Sequence, residues 1–130
     1  MVKEVKHIYL SDLHFDHKVW LNQLSFCEDE LEIFNARLGE LVKRNNTPDF
    51  GGTAESLQNR IIRQNEVVDE LKHEIKAHEK SIATFAEAHP IAVDHVYFSD
   101  HTDLREKMDV FVKLYDEFKS EFSRFSAKWL

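Results

Sequence analysis

A chain of 130 residues with 42% hydrophobic and 32% charged side chains is long enough to bury a core and lies outside the composition of disordered chains. A formal charge of −7 excludes a nucleic-acid backbone as the default partner, and a lone cysteine, Cys27, excludes an intrachain disulfide or a multi-cysteine zinc site. Three glycines and two prolines leave little turn chemistry, so the elements must be few and long.

Residues 1–12 lack the apolar centre of a signal peptide, and no run approaches the ~18 apolar residues of a membrane span. The expectation is a cytoplasmic protein without a membrane partner. Residues 3–9 read either as an extended lead-in or as an extra helical turn.

The first predicted helix covers roughly 11–45. Its apolar stripe recurs at spacings of three and four through Leu10, Leu13, His17, Trp20, Leu24, Cys27, Leu31, Phe34, Leu38 and Leu41. Ser11 with Asp12 can cap its start, and Asp16 offers a later cap. The segment opens on HIYLSDLHFDH, whose Asp12-Leu13-His14 resembles the first metal-binding motif of the calcineurin-like metallophosphoesterases. Membership in that family would imply two metals at the strand ends of a layered α/β sandwich, with G-D-x-x-D and G-N-H-[DE] motifs further along. The chain holds no Gly-Asp pair and no Gly-Asn-His, so the resemblance stops at the first motif and implies no phosphoesterase.

The cluster NNTPDFGG, residues 45–52, predicts a loop, because it holds one of the two prolines and two of the three glycines. A second helix follows over 53–88, with Thr53 as its cap and a stripe of Leu57, Ile61, Gln64, Val68, Leu71, Ile75, His78, Ile82, Phe85 and then His89. At ~1.5 Å per residue it is roughly 54 Å long. His89-Pro90 breaks the pattern, since a residue before proline is pushed out of the helical region. The third helix, 100–129, has Ser99 or Asp100 as its cap and a stripe of His101, Leu104, Met108, Phe111, Tyr115, Phe118, Phe122, Phe125 and Trp129. The fold class is therefore all-α, an elongated antiparallel three-helix bundle with coiled-coil-like heptad packing, read as one domain over 1–130.

Eight histidines raise the question of metal. Glu70 and His73 form a Glu-x-x-His pair, but Val68 and Leu71 take the core positions around them, so the pair faces solvent. His17, His78, His89 and His101 fall on the stripes, and His14 flanks the first. If Leu41 faces Leu57, residue numbers opposed across the first two helices sum to about 98. His17 and His78 then differ in level by about three residues, ~4.5 Å, and can share a layer with Trp20. The same reckoning puts His101 near Leu10, at the end of the bundle with His14 and His89. Asp12, Asp16, Asp100 and Asp103 serve equally as ligands or as caps.

Two readings follow. The main one is a non-catalytic structural or protein-interaction bundle with no cofactor and no enzymatic activity, its core histidines neutral and hydrogen-bonded. The alternative is a metal-binding bundle in which His14, His17, His78 and His101 hold a divalent transition metal. Cys27, on the stripe, is expected to be buried and inert, and Glu28, Asp29, Glu30 and Glu32 to form a solvated face. Ile33, Val42, Ile62, Val67, Val110, Val112, Leu114 and Ala127 broaden the apolar faces. That excess predicts a homodimer or a different helical partner.

Overall fold

The computed structural model describes residues 9–88 and 95–130. The lead-in at 3–8 and His89, both singled out in the sequence, lie outside the described residues. Three α-helices follow in order: α1, Leu10–Arg44; α2, Pro48–Ala88; and α3, His95–Lys128. No strand occurs among the described residues, so the phosphoesterase-like motif has no sheet to project from. Asp12 is instead an exposed residue in the first turn of α1.

The heptad stripes point inward as the pattern requires. On α1 every stripe residue from Leu10 to Leu41 is buried except Phe34, which is partly buried against the core. On α3 every stripe residue from His101 to Phe125 is buried. Pairs across the seams give the directions. Lys72 Nζ lies 3.1 Å from Glu28 and His17 reaches His78, so α2 runs antiparallel to α1. Arg105 reaches Asp16, the Tyr115 hydroxyl contacts Cys27, and Arg37 reaches Ser126, so α3 returns parallel to α1.

The first connection is shorter than the predicted loop. Only residues 45–47 separate α1 from α2, and Pro48 opens α2. Proline is favoured there because its fixed φ suits the first turn and its missing N–H has no helical partner to lose. Thr47 caps the helix: its hydroxyl accepts from the Phe50 N–H at 3.4 Å, and its carbonyl accepts from the Gly51 N–H at 2.9 Å. Gly51 and Gly52 thus lie inside the helix, with no positive φ. The reason is Phe50, 2% exposed, which stacks on Phe125 and meets Trp129 edge-on, both at 5.3 Å between ring centres. Burial of that ring outweighs the turn chemistry around it. Asn45 closes the same end, its amide donating to the Leu41 and Trp129 carbonyls. The third helix likewise starts at His95, ahead of the predicted cap at Ser99 or Asp100.

Two apolar clusters fill the bundle. The larger runs from Phe50 and Phe125 at one end to Trp20 and Leu104; the smaller comprises Leu10, Leu13 and Ile82, with Ala86 against it. Between them, one residue from each helix, lie His17, His78 and His101, at 1%, 7% and 0% exposure. No helix among the described residues is long and apolar enough to cross a membrane.

Candidate metal centre

Three imidazoles meet in this layer because each helix places a histidine at an inward heptad position. His17 and His78 pack edge to face, with ring centres 5.1 Å apart, and His101 lies 5.1 Å from His17 and 5.7 Å from His78. Trp20, one turn along α1, stacks on His101 at 4.8 Å and closes the layer on the side of the main core. Each histidine can offer one ring nitrogen such that all three atoms lie within 4.8 Å of one another. A second group, His14, His17 and Glu79, satisfies the same condition and shares His17 with the first.

The carboxylates around the layer set the tautomers. Glu79 accepts from His17 Nδ1 at 2.8 Å, which leaves the lone pair of His17 on Nε2. That nitrogen faces His78 Nδ1 at 3.0 Å. On the other side Asp16 accepts from His101 Nε2 at 2.9 Å and from Arg105 at 2.7 Å. The lone pair of His101 therefore resides on Nδ1. That nitrogen is fully buried and has no hydrogen-bond partner among the described residues. A carboxylate on the far nitrogen of an imidazole is how proteins orient histidine ligands and raise their basicity.

The electrostatics favour a cation at this place. Burial alone would raise the carboxyl pKa of Glu79, but the hydrogen bonds from His17 and His14 prevail and hold it below 4.5. Burial would likewise raise Asp16, yet the bonds from His101 and Arg105 hold it below 3.8. His101 is shifted below 6.5, mainly because burial penalises its charged form; the Asp16 bond opposes this, and His17 repels the charge further. At neutral pH the layer therefore presents a neutral His101 beside two ionised carboxylates. Two negative charges flanking the nitrogen donors offset a divalent ion and lower the cost of burying it.

The donor set suits an intermediate-to-soft divalent metal such as zinc, copper or nickel, for which imidazole is a preferred ligand. Zinc–nitrogen bonds of ~2.0–2.1 Å in a tetrahedron place neighbouring donors about 3.3 Å apart. The 3.0 Å between His17 and His78 is close to that spacing. Three protein ligands leave a fourth position open. A groove of about 360 Å³ along α2 and α3, lined by His78, Ala77, Ser81, Asp100, Asp103 and Leu104 among others, reaches the layer from solvent. Such a groove supplies the entry path that a buried ion needs.

Of the four histidines named from sequence, His17, His78 and His101 converge in the buried layer. His14 lies one turn outward, half-buried, with Nδ1 2.7 Å from Glu79 Oε2 and also in contact with Oε1. The expectation of no cofactor is corrected by this arrangement: two groups of converging donors, His17/His78/His101 and His14/His17/Glu79, form a plausible metal-coordinating site. The expectation failed because the sequence estimate set His101 about two turns too far toward the bundle end. In the structure it is level with His17 and Trp20, not Leu10. Glu79 was missed, although it directly follows a core histidine and lies on the side of α2 that faces α1. Asp16, read from sequence equally as a ligand or as a cap, bridges to α3, while Tyr9 precedes the first turn with no side-chain cap.

The remaining candidates fall elsewhere. Asp12 and Asp103 are exposed, and Asp100 lines the groove. Glu70 and His73 are exposed on α2, Glu70 pairing with Arg63. Cys27 is buried, its thiol pushed up to about 11 by desolvation and then by Glu30, so it is no thiolate ligand. Glu28 and Glu30 do not belong to a purely solvated face, since they bond Lys72 and Tyr115 across the seams. Comparison of the chain with protein-family models, with curated proteins and with solved structures gives no match, so the chemistry of the layer carries the functional argument.

Proposed function

We propose that the protein is a metal-binding helical bundle that holds a divalent transition metal, zinc or copper by donor chemistry, through His17, His78 and His101. One observation carries the reading: His101 Nδ1 is buried without a partner among the described residues, while its other nitrogen is held by Asp16. An unsatisfied buried acceptor costs about 1–3 kcal/mol, and a cation in the layer would satisfy it. His17, oriented by Glu79, and His78 supply the neighbouring nitrogens. Trp20 and the two apolar clusters exclude water from most of the shell. The α-helical frame brings the donors together at fixed levels and leaves one coordination position for water or a small ligand.

Elemental analysis of tag-free protein, followed by titration of the chelator-treated chain with Zn²⁺, tests this. The expected result is one ion held tightly in the buried layer and lost in His101→Ala, with all uptake abolished in His17→Ala. A wild-type chain that takes up no ion at micromolar Zn²⁺ would show that the layer is a hydrogen-bonded seam alone.

A second reading, as an interaction module, has its own support. Phe15, Phe26 and Ile33 on the outer side of α1 are 66%, 60% and 66% exposed. Burying such side chains in a two-fold pair contributes ~1.5–3 kcal/mol each. Sedimentation equilibrium separates a homodimer from a monomer, and a monomer at all accessible concentrations would leave only a different helical protein to cover that face.

A further inference from the structure

Both ring nitrogens of His17 face donor groups. Nε2 looks inward to His78, and Nδ1 looks outward to Glu79. The outward group is built as regularly as the inner one. His14 and His17 share a face of α1 at i, i+3, and both aim Nδ1 at the same oxygen, Glu79 Oε2, at 2.7 and 2.8 Å. The second carboxylate oxygen also contacts His14 Nδ1. Two imidazole nitrogens and a carboxylate converging from two helices make the donor set of a catalytic zinc site. This set differs from the inner one in exposure: the side chains of His14 and Glu79 are 34% and 36% accessible, so water can fill its remaining positions.

From these contacts the geometry points to a second metal ion, bound by His14 Nδ1, Glu79 and His17 Nδ1, with the His17 ring bridging it to the ion of the inner layer. The inference rests on the metal-binding reading above and adds to it a binuclear centre with unequal positions. The inner ion is enclosed and slow to exchange; the outer ion faces solvent and exchanges with it. On binding of the outer ion the Nδ1–H bond of His17 breaks, its proton passes to the buffer, and an Nδ1–metal bond replaces it. His14 moves its ring proton from Nδ1 to Nε2 and remains neutral. Glu79 exchanges two accepted hydrogen bonds for coordination. The bridging ring is then an imidazolate, and with Glu79 and Asp16 it sets three negative charges against the two ions.

Titration of the metal-free chain with Cu²⁺ at neutral pH tests the inference, with bound metal read at equilibrium by dialysis. Electron paramagnetic resonance reports whether the ions communicate through the ring. Wild type should retain about two ions per chain, with the signal of the doubly loaded form diminished by coupling between them. His14→Ala, at a half-exposed position, should keep its helical circular dichroism, retain about one ion and show the full signal of an isolated ion. His14→Gln should behave the same way. One ion in wild type, unchanged by His14→Ala, overturns the second site and leaves the inner one standing. Two ions with uncoupled signals, or two ions retained in both His14 variants, overturns the bridged arrangement. No retained ion overturns this inference together with the reading it rests on.

Discussion

The two ends of the bundle use the same heptad positions for opposite purposes. At the end where α1 meets α2, the inward positions carry Phe50, Phe118, Phe122, Phe125 and, partly buried, Trp129. Toward the other end the equivalent positions carry His17, His78 and His101, followed by the small cluster of Leu10, Leu13 and Ile82. The aromatic end is held by contact area, which depends little on solution conditions. The histidine end is held by hydrogen bonds among ionisable groups, so its stability depends on pH and on any ion that binds there. A repeating pattern thus specifies where side chains go, while their chemistry decides whether the layer is inert or responsive.

The largest effect should come from emptying the aromatic end. Phe50→Ala removes a ring that is 2% exposed and stacked on Phe125, and cavity formation with lost transfer energy costs about 3–5 kcal/mol. Urea unfolding should show this loss with or without Zn²⁺ present. If added Zn²⁺ restored the variant selectively, the two ends would not be energetically separate as proposed.

Metal should act on the other end. With free Zn²⁺ at 100 times its dissociation constant, stabilisation is about 2.7 kcal/mol for a single site that binds only the folded chain. The gain should appear in wild type and in Phe50→Ala alike. It should fall in His101→Leu to what the outer group of His14, His17 and Glu79 supplies alone, since the substitution removes the buried Nδ1 donor and the Asp16 bond together. A Zn²⁺-dependent shift undiminished in His101→Leu would place the inner ion elsewhere.

These differences explain how much was legible beforehand. Stripe positions such as Leu24, Leu31 and Phe118 could be read from sequence because burial follows periodicity, whatever the neighbours. The start of α2 could not, because Phe50 fills a space made by Phe125 and Trp129, residues 75 and 79 positions away, and that contact overrides Gly51 and Gly52. The pairing of His17 with His78 followed from simple hairpin levels. Placing His101 required the length of the connection to α3, which the Pro90 break does not specify. The roles of Glu79 and Asp16 depend on which helix lies opposite, a long-range fact that local charge patterns do not contain.

Acid should separate the ends without mutation of the core. His101 has its pKa lowered by burial, so the unfolded chain takes up a proton near pH 6.5 that the folded chain resists. Stability is therefore complete above that value and declines as pH falls below it. Glu79 and Asp16, held below 4.5 and 3.8, contribute stability above those values that is lost on further acidification. Wild type should show both declines in denaturant midpoints measured between pH 7.5 and pH 3. Phe50→Ala should lower the whole profile without changing its shape, whereas His101→Leu should remove the upper decline. An upper decline unchanged in His101→Leu would assign it to other groups.

The smallest effect tests whether the ends open together. Gly39 lies in α1 nearer the aromatic end; it is exposed, and a Cβ added there meets nothing within 4 Å. Its φ is not positive, so alanine fits without strain. Gly39→Ala should stabilise the protein by about 0.5–1 kcal/mol, through lower backbone entropy in the unfolded chain and better helix propensity. Hydrogen exchange shows how far that gain travels. Amides that exchange only by global unfolding, such as those around Leu31 and Leu38, should slow by the full amount. Amides around Leu13 and His17 sit beyond or within the polar layer, where a small apolar cluster gives little protection of its own. If that end frays as a local unit in the metal-free chain, their exchange stays unchanged in Gly39→Ala and slows only when Zn²⁺ is added. Equal slowing at both ends in the metal-free variant would mean that the histidine layer does not divide the bundle, and the contrast between its two ends would then be one of composition without independent opening.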